Sequence, residues 1–184
     1  FVIGNIANHT SAKNLDLLIS VADIVINKKG MKDFKFVQVG RFSKLTINLK
    51  RKIEMFELND HFEFIGEYNN AFYLNDYFDI FLLTSEREGG PTSILEALFM
   101  KTPVITTPVG ITNQLIVDNS NGYIVEMNNA DEISNRILDI YKYPNKFEGE
   151  LERNKKLIIE KFSSYSKSKK ILQLYELLLK DYKN

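Results

Sequence analysis

Short, nearly unbroken apolar runs alternate along this chain with stretches of helical period, and that alternation restricts the fold more than any other feature. "FVIGNI" (1–6), "FKFVQVG" (34–40), "HFEFIG" (61–66), "DIFLLTS" (79–85), "PVITT" (103–107) and "GYIV" (122–125) read as strands. Between them the spacing predicts helices over 15–29, 44–58 and 92–101, and a short one over 70–77. The remainder predicts helices over 130–143, 150–161 and 164–181, whose lysines suit solvated faces packed on a sheet. Strand–helix–strand repetition with short links implies an α/β fold with a mainly parallel sheet. Strands lacking polar alternation belong to a sheet covered on both faces. Ligands of such sheets bind beyond the carboxyl ends of the strands. The loops after Ile6, Val39, Ile65, Leu83 and Thr107 then share one edge.

The length of 184 residues predicts a single domain, 1–184, with a substantial core. Composition removes several chemistries. There is no cysteine, which excludes disulfides, thiolate catalysis and cysteine–zinc sites. The two histidines, His9 and His61, lie far apart, so no histidine metal site is expected. His9 is expected to be a solvated loop residue and His61 a structural one. The formal net charge is zero, which argues against a nucleic-acid partner. No apolar run reaches the roughly 18–20 residues a membrane helix needs. The chain opens inside a strand pattern with no Met before it, which predicts a piece of a longer protein.

Residues 85–110, "SEREGGPTSILEALFMKTPVITTPVG", hold the densest candidate chemistry. Pro91 suits a helix start, because the N–H it lacks would be unpaired there. Gly89 and Gly90 before it allow close approach of a ligand to the backbone. The open N–H groups of Thr92 and Ser93, with the helix dipole, favour an anion such as phosphate. Neither a Walker loop nor a G-x-G-x-x-G fingerprint is present. Glu88 precedes the turn and Glu96 lies about one turn into the helix. Each carboxylate can accept from the hydroxyls of a sugar or ribose on either side of that phosphate. Taken alone, the two acids better suit a turn-surface charge and a helix acid favoured by the dipole.

"EGGPTSILEAL" followed by "TPVITTPVG" resembles the E-x7-E signature of retaining, nucleotide-sugar-dependent group 1 glycosyltransferases. The likeness extends over almost the whole chain. "NIANHTSAKNLDLLI" stands where that family has its first strand, phosphate loop and helix. "FKFVQVG", "HFEFIGEYNN", "YFDIFLLTSEREGGP" and "NGYIV" match its later segments in order. The resemblance implies one half of a GT-B fold, a Rossmann-like three-layer αβα sandwich. It implies the donor-binding C-terminal half, with an N-terminal acceptor domain outside this chain. Glu88 would then hold hydroxyls of the transferred sugar and Glu96 the ribose diol. Gly89, Gly90, Pro91, Thr92 and Ser93 would meet the sugar and diphosphate. Lys13 would meet the diphosphate and stabilise the departing nucleotide, so Glu88 and Lys13 are the catalytic candidates. Val39, Gly40, Arg41 and the segment Ile65, Gly66 and Glu67 would border the base.

The same resemblance implies a UDP-sugar donor, a glycan or lipid-linked acceptor, and no metal or other cofactor. It implies a role in cell-surface polysaccharide synthesis in the cytoplasm, with peripheral contact at the inner membrane face. Two positions depart from the family pattern. Asn8 stands where the phosphate loop usually carries Arg, which removes a cation that Arg41 is placed to replace. Gln114 stands where Glu is frequent. A degenerate nucleotide-sugar-binding module is the alternative that Asn8 raises, and an epimerase or phosphorylase on a related fold is a third. Among other residues, Asp79 is expected to orient its strand, and Tyr68 and Phe72 to serve packing or line the cleft.

Overall fold

The computed structural model describes residues 1–182, and side chains through residue 179. Six strands form one parallel sheet: β1 (Val2–Ile6), β2 (Lys35–Val39), β3 (Phe62–Gly66), β4 (Ile80–Leu83), β5 (Val104–Thr106) and β6 (Gly122–Ile124). Their spatial order is β3-β2-β1-β4-β5-β6. The chain runs outward from β1 to β3, then returns to the other side of β1 and runs outward again. The loops after β1 and β4 therefore diverge, and a crevice opens between them at the carboxyl edge.

Helices α1 (Leu15–Asp23), α2 (Leu45–Met55), α3 (Thr92–Phe99), α4 (Thr112–Leu115), α5 (Ala130–Lys142), α6 (Glu148–Phe162) and α7 (Ser164–Tyr182) complete the fold. The predicted helix over 15–29 is α-helical only to Asp23 and continues as a π-turn over Ile24–Lys28. The short helix over 70–77 is a 3-10 segment, Ala71–Tyr77. The core fills both faces of the sheet. β4 is buried along its whole length, from Ile80 to Leu83, and Leu18, Ile19, Val21 and Val25 close one side. Such burial contributes about 25 cal/mol per Å² of apolar surface, which is why these strands read as continuous apolar runs.

Two polar contacts fix the centre of the sheet. Asn5 is buried on β1, and its amide donates to the Leu82 carbonyl on β4 at 2.8 Å. Asp79, just before β4, accepts from the Val2 backbone N–H at 2.7 Å, as expected of a strand-orienting acid. His61 supports β3 in the same way, with Nδ1 3.1 Å from the Phe34 carbonyl. The expectation of C-terminal helices packed on the sheet needs correction. Helix α6 packs beside α3, but Ile171, Leu172, Leu174, Leu177, Leu178 and Leu179 on α7 are all more than half exposed. Nothing in the described residues covers them. Among the described residues no helix is long and apolar enough to cross a membrane.

Candidate functional site

The first loop is built from the end of β1 and a 3-10 turn, Ser11–Lys13. Asn14 caps α1 in the left-handed region, at φ 44°, and accepts from the Leu17 N–H. The opposing loop leaves β4 and reaches α3 through Pro91. Hydrogen bonds lock the two loops together. The Glu86 N–H donates to the Ala12 carbonyl at 2.8 Å, and the Thr84 hydroxyl to the Lys13 carbonyl at 3.0 Å. The Lys13 ammonium donates to Glu88 Oε1 at 2.5 Å. Ser85 Oγ donates to the same oxygen at 2.8 Å. Oε2 of Glu88 has no protein partner among the described residues and retains its acceptor capacity.

Helix α3 begins as expected. Pro91 is its N-cap, with no side-chain capping bond. The Ile94 N–H turns back to the Pro91 carbonyl at 3.1 Å. The N–H groups of Thr92 and Ser93 have no acceptor among the described residues, which is the open end of a helix. A side chain added at Gly89 or Gly90 would meet no atom within 4 Å, so this corner is unfilled.

A cavity of about 320 Å³ lies between these loops. Of the predicted residues it gathers Asn8, Lys13, Val39, Gly40, Glu88, Gly90, Pro91, Thr92, Ser93 and Glu96. Glu96 also borders a neighbouring apolar cavity beside Phe72, Leu95 and Phe99, and burial pushes its carboxyl above the usual glutamate value. Both glutamates thus face one space, on either side of the helix start. Arg41, Ile65, Gly66 and Gly89 do not line it. The Arg41 guanidinium is instead turned onto Glu67, with Nε 3.2 Å and Nη2 2.9 Å from its two oxygens. Gly66 acts one step removed: its carbonyl accepts from the Gly40 N–H at 2.8 Å. Gln114 is exposed on α4 and away from the cavity.

Glu67 and Tyr68 line the cavity from the segment after β3, Tyr68 in one of the two places expected of it. One participant was not singled out in the sequence. Gly110 braces the opposing loop: its φ is +55°, and a Cβ there would lie 2.8 Å from the Glu88 carbonyl oxygen. The Pro-Val-Gly that ends the quoted stretch was the available signal. The expectation for His9 was wrong. Its ring is 1% exposed, with Nε2 2.6 Å from Gln38 Oε1 and Nδ1 2.8 Å from Thr46 Oγ1. Gln38 in turn donates to the Ala7 carbonyl at 2.5 Å. The first loop folds inward over this network, because its backbone carbonyl at Ala7 needs a donor once buried. Burial lowers the His9 pKa, with Lys50 adding to the effect and the Gln38 bond opposing it. Among the described residues no group of three or more His, Cys, Asp or Glu side chains could hold a metal ion.

The arrangement can seat an anion between Lys13 and the α3 N-terminus, with hydroxyl acceptors on both sides. The chain is similar to known proteins along most of its length. The sequence profile of the family described as "Glycosyl transferases group 1" matches residues 1–158. Poly(ribitol-phosphate) alpha-N-acetylglucosaminyltransferase of Staphylococcus aureus (strain COL) is 28% identical over 95% of this chain and 35% of its own length. O-antigen biosynthesis glycosyltransferase WbnH of Escherichia coli is 36% identical over 59% of this chain and 31% of its own. A crystal structure of a variant of S. aureus TarM, in complex with fondaparinux, alpha-GlcNAc-glycerol and UDP, superposes with a TM-score of 0.84 at 28% identity, covering 95% of this chain and 35% of that one. The chain therefore spans about a third of the length of these relatives.

Proposed function

The chain belongs to the group 1 glycosyltransferases, and from that premise we propose that it is the donor-binding domain of a retaining enzyme that transfers a hexosyl group from a UDP-sugar. The acceptor is a glycan or lipid-linked sugar, met by a domain outside this chain, in cytoplasmic synthesis of a surface polysaccharide. The observation that carries the reading is the placement of Glu88 and Glu96 around one cavity, with Lys13 and the open N–H groups of Thr92 and Ser93 between them. The TarM structure with UDP and the O-antigen relative support donor and pathway class.

In this reading the diphosphate sits at the α3 N-terminus beside Lys13. Glu96 accepts from the ribose diol, and Oε2 of Glu88 from hydroxyls of the transferred sugar. The bond between the anomeric carbon and the phosphate oxygen breaks, and the acceptor oxygen bonds to that carbon on the same face. The departing phosphate oxygen takes the acceptor proton, so no protein nucleophile is required. Lys13 and the helix start stabilise the charge that grows on the diphosphate. No metal or other cofactor is needed for that step.

The isolated domain should bind nucleotide weakly and transfer sugar poorly. Titration with UDP, UDP-sugars and GDP-sugars tests the reading. Binding by the unaltered protein that is lost in both Glu88→Ala and Glu96→Ala supports it. A folded protein that binds no nucleotide points instead to a degenerate module, the reading that the Lys13–Glu88 pair and Asn8 favour.

A further inference from the structure

Charge around the cavity does not balance for a diphosphate, each phosphate of which carries a negative charge. Among the described residues three carboxylates border the space, on Glu67, Glu88 and Glu96, against one lining cation, Lys13. That cation is already paired with Glu88 at 2.5 Å. Asn8, in the first loop, adds no charge, and its side-chain oxygen is occupied by the Arg41 N–H at 2.9 Å. A further cation is needed, and Arg41 is built to be one. Its backbone is held against the first loop from two sides, through that Asn8 bond and through its carbonyl, which accepts from the His9 N–H at 3.0 Å. It directly follows Val39 and Gly40, which line the cavity, and Gly40 backs onto Ala7 so closely that a Cβ would lie 2.0 Å from its carbonyl oxygen. Only the Arg41 side chain is free to move. Its present partner, Glu67, is itself a wall residue, and both side chains are exposed, at 68% and 62%.

We propose that Arg41 is the second diphosphate-binding cation and that Glu67 parks it, the guanidinium exchanging the Glu67 carboxylate for phosphate oxygens when donor binds. The inference rests on the donor-site reading above. The exchange is between like geometries, since both partners match the planar guanidinium fork. An exposed ion pair is screened by water and is easily given up. Glu67 then competes with the ligand for Arg41, so removing either partner acts in opposite directions. A merely structural surface pair would make the two removals act alike.

The test is calorimetric titration of the intact protein with UDP and UMP in EDTA, so that no divalent ion supplies the charge. Arg41→Gln should weaken UDP by about tenfold or more and UMP far less. Glu67→Gln should tighten UDP by several-fold, and this gain should vanish in the double variant. Asn8→Arg should restore UDP binding to Arg41→Gln. The exposed Arg87, which does not line the cavity, serves as control, with Arg87→Gln expected to match the unaltered protein. UDP affinity unchanged in Arg41→Gln, or weakened by Glu67→Gln, overturns the assignment while leaving the donor site intact. An unaltered protein that is folded and binds neither nucleotide overturns the donor-site reading and the assignment with it.

Discussion

Replacing Gly110 with alanine should damage the fold and the sugar-facing wall of the cavity by separable amounts. Gly110 sits at φ +55°, where an L-residue costs roughly 1–2 kcal/mol. The added Cβ would stand 2.8 Å from the Glu88 carbonyl oxygen and 3.2 Å from that of Gly89. Ordinary contact begins near 3.4 Å, so the 88–89 backbone must retreat by several tenths of an ångström. For a domain of this size each kcal/mol lowers the unfolding midpoint by about 2–4 °C, which gives a fall of roughly 2–8 °C for the backbone strain. Under the proposed donor-site reading, displacing Glu88 weakens a charge-assisted bond to the sugar, a class of interaction that contributes about 1.5–3 kcal/mol. That corresponds to roughly 10- to 100-fold in affinity for a UDP-sugar. UDP itself lacks the sugar that the proposal assigns to Glu88 and should lose much less. Gly110→Asn separates the two causes, because Asn tolerates the left-handed region yet carries the same Cβ. It should recover melting temperature but not sugar affinity. If the alanine variant melts and binds as the unaltered protein does, or if Asn restores the affinity, the bracing argument fails.

Gly90→Ala should do the reverse. Its backbone is not in the left-handed region and nothing lies within 4 Å of an added Cβ, so thermal stability should hold or rise by about 0.4–1 kcal/mol. The new methyl enters the cavity that Gly90 lines, and titration should show weaker donor binding. For Glu96, burial raises the carboxyl pKa, so its destabilising charge is absent at acid pH and appears as pH rises through the raised value. Ligand binding runs the other way if Glu96 holds the ribose diol as proposed, because the hydroxyls donate to the ionised form. UDP affinity should therefore fall on the acid side at a higher pH than an ordinary glutamate would give, and Glu96→Gln should erase that limb at uniformly low affinity. For His9, the lowered pKa means the folded state prefers the neutral ring. Stability should be full above the ordinary value of about 6.5 and decline as pH falls through the lowered one. Melting curves of His9→Gln should lose that acid-side slope while starting from a lower midpoint.

What could be read from the sequence was whatever residue type and local spacing decide. Strands Val2–Ile6 and Ile80–Leu83 announce themselves because both faces are buried. The α3 start is legible because proline and two glycines leave few other conformations. The four-residue helix Thr112–Leu115 is too short to show a period. The π-turn after Asp23 keeps the same apolar run as the helix before it, so the sequence does not distinguish them. His9 looked like any polar loop residue, because its partners Gln38 and Thr46 lie 29 and 37 positions away. The pairing of Arg41 with Glu67, 26 positions apart, was hidden for the same reason. The apolar residues of α7 were legible as one face of a helix, but not that this face would lie bare.

The topology supplies what spacing could not. Lys13 and Glu88 are 75 positions apart and meet at 2.5 Å because β1 and β4 are neighbours in the sheet while their connections leave in opposite directions. Asn5 holds that junction from below through the Leu82 carbonyl, and the two loops touch where they leave the adjacent strands, at Lys13 and Glu88, before they part. A cation and a carboxylate brought together at a switch point neutralise one another until a ligand separates their tasks. On the proposed reading the diphosphate draws Lys13 partly away from Glu88, and Ser85, which donates to the same carboxylate oxygen, keeps Glu88 in place when that happens. Ser85→Ala should consequently leave UDP binding nearly intact and weaken the UDP-sugar, since only the sugar relies on a carboxylate that stays where it is. No loss for either ligand, measured by the same titration, would show that Glu88 is held by Lys13 alone.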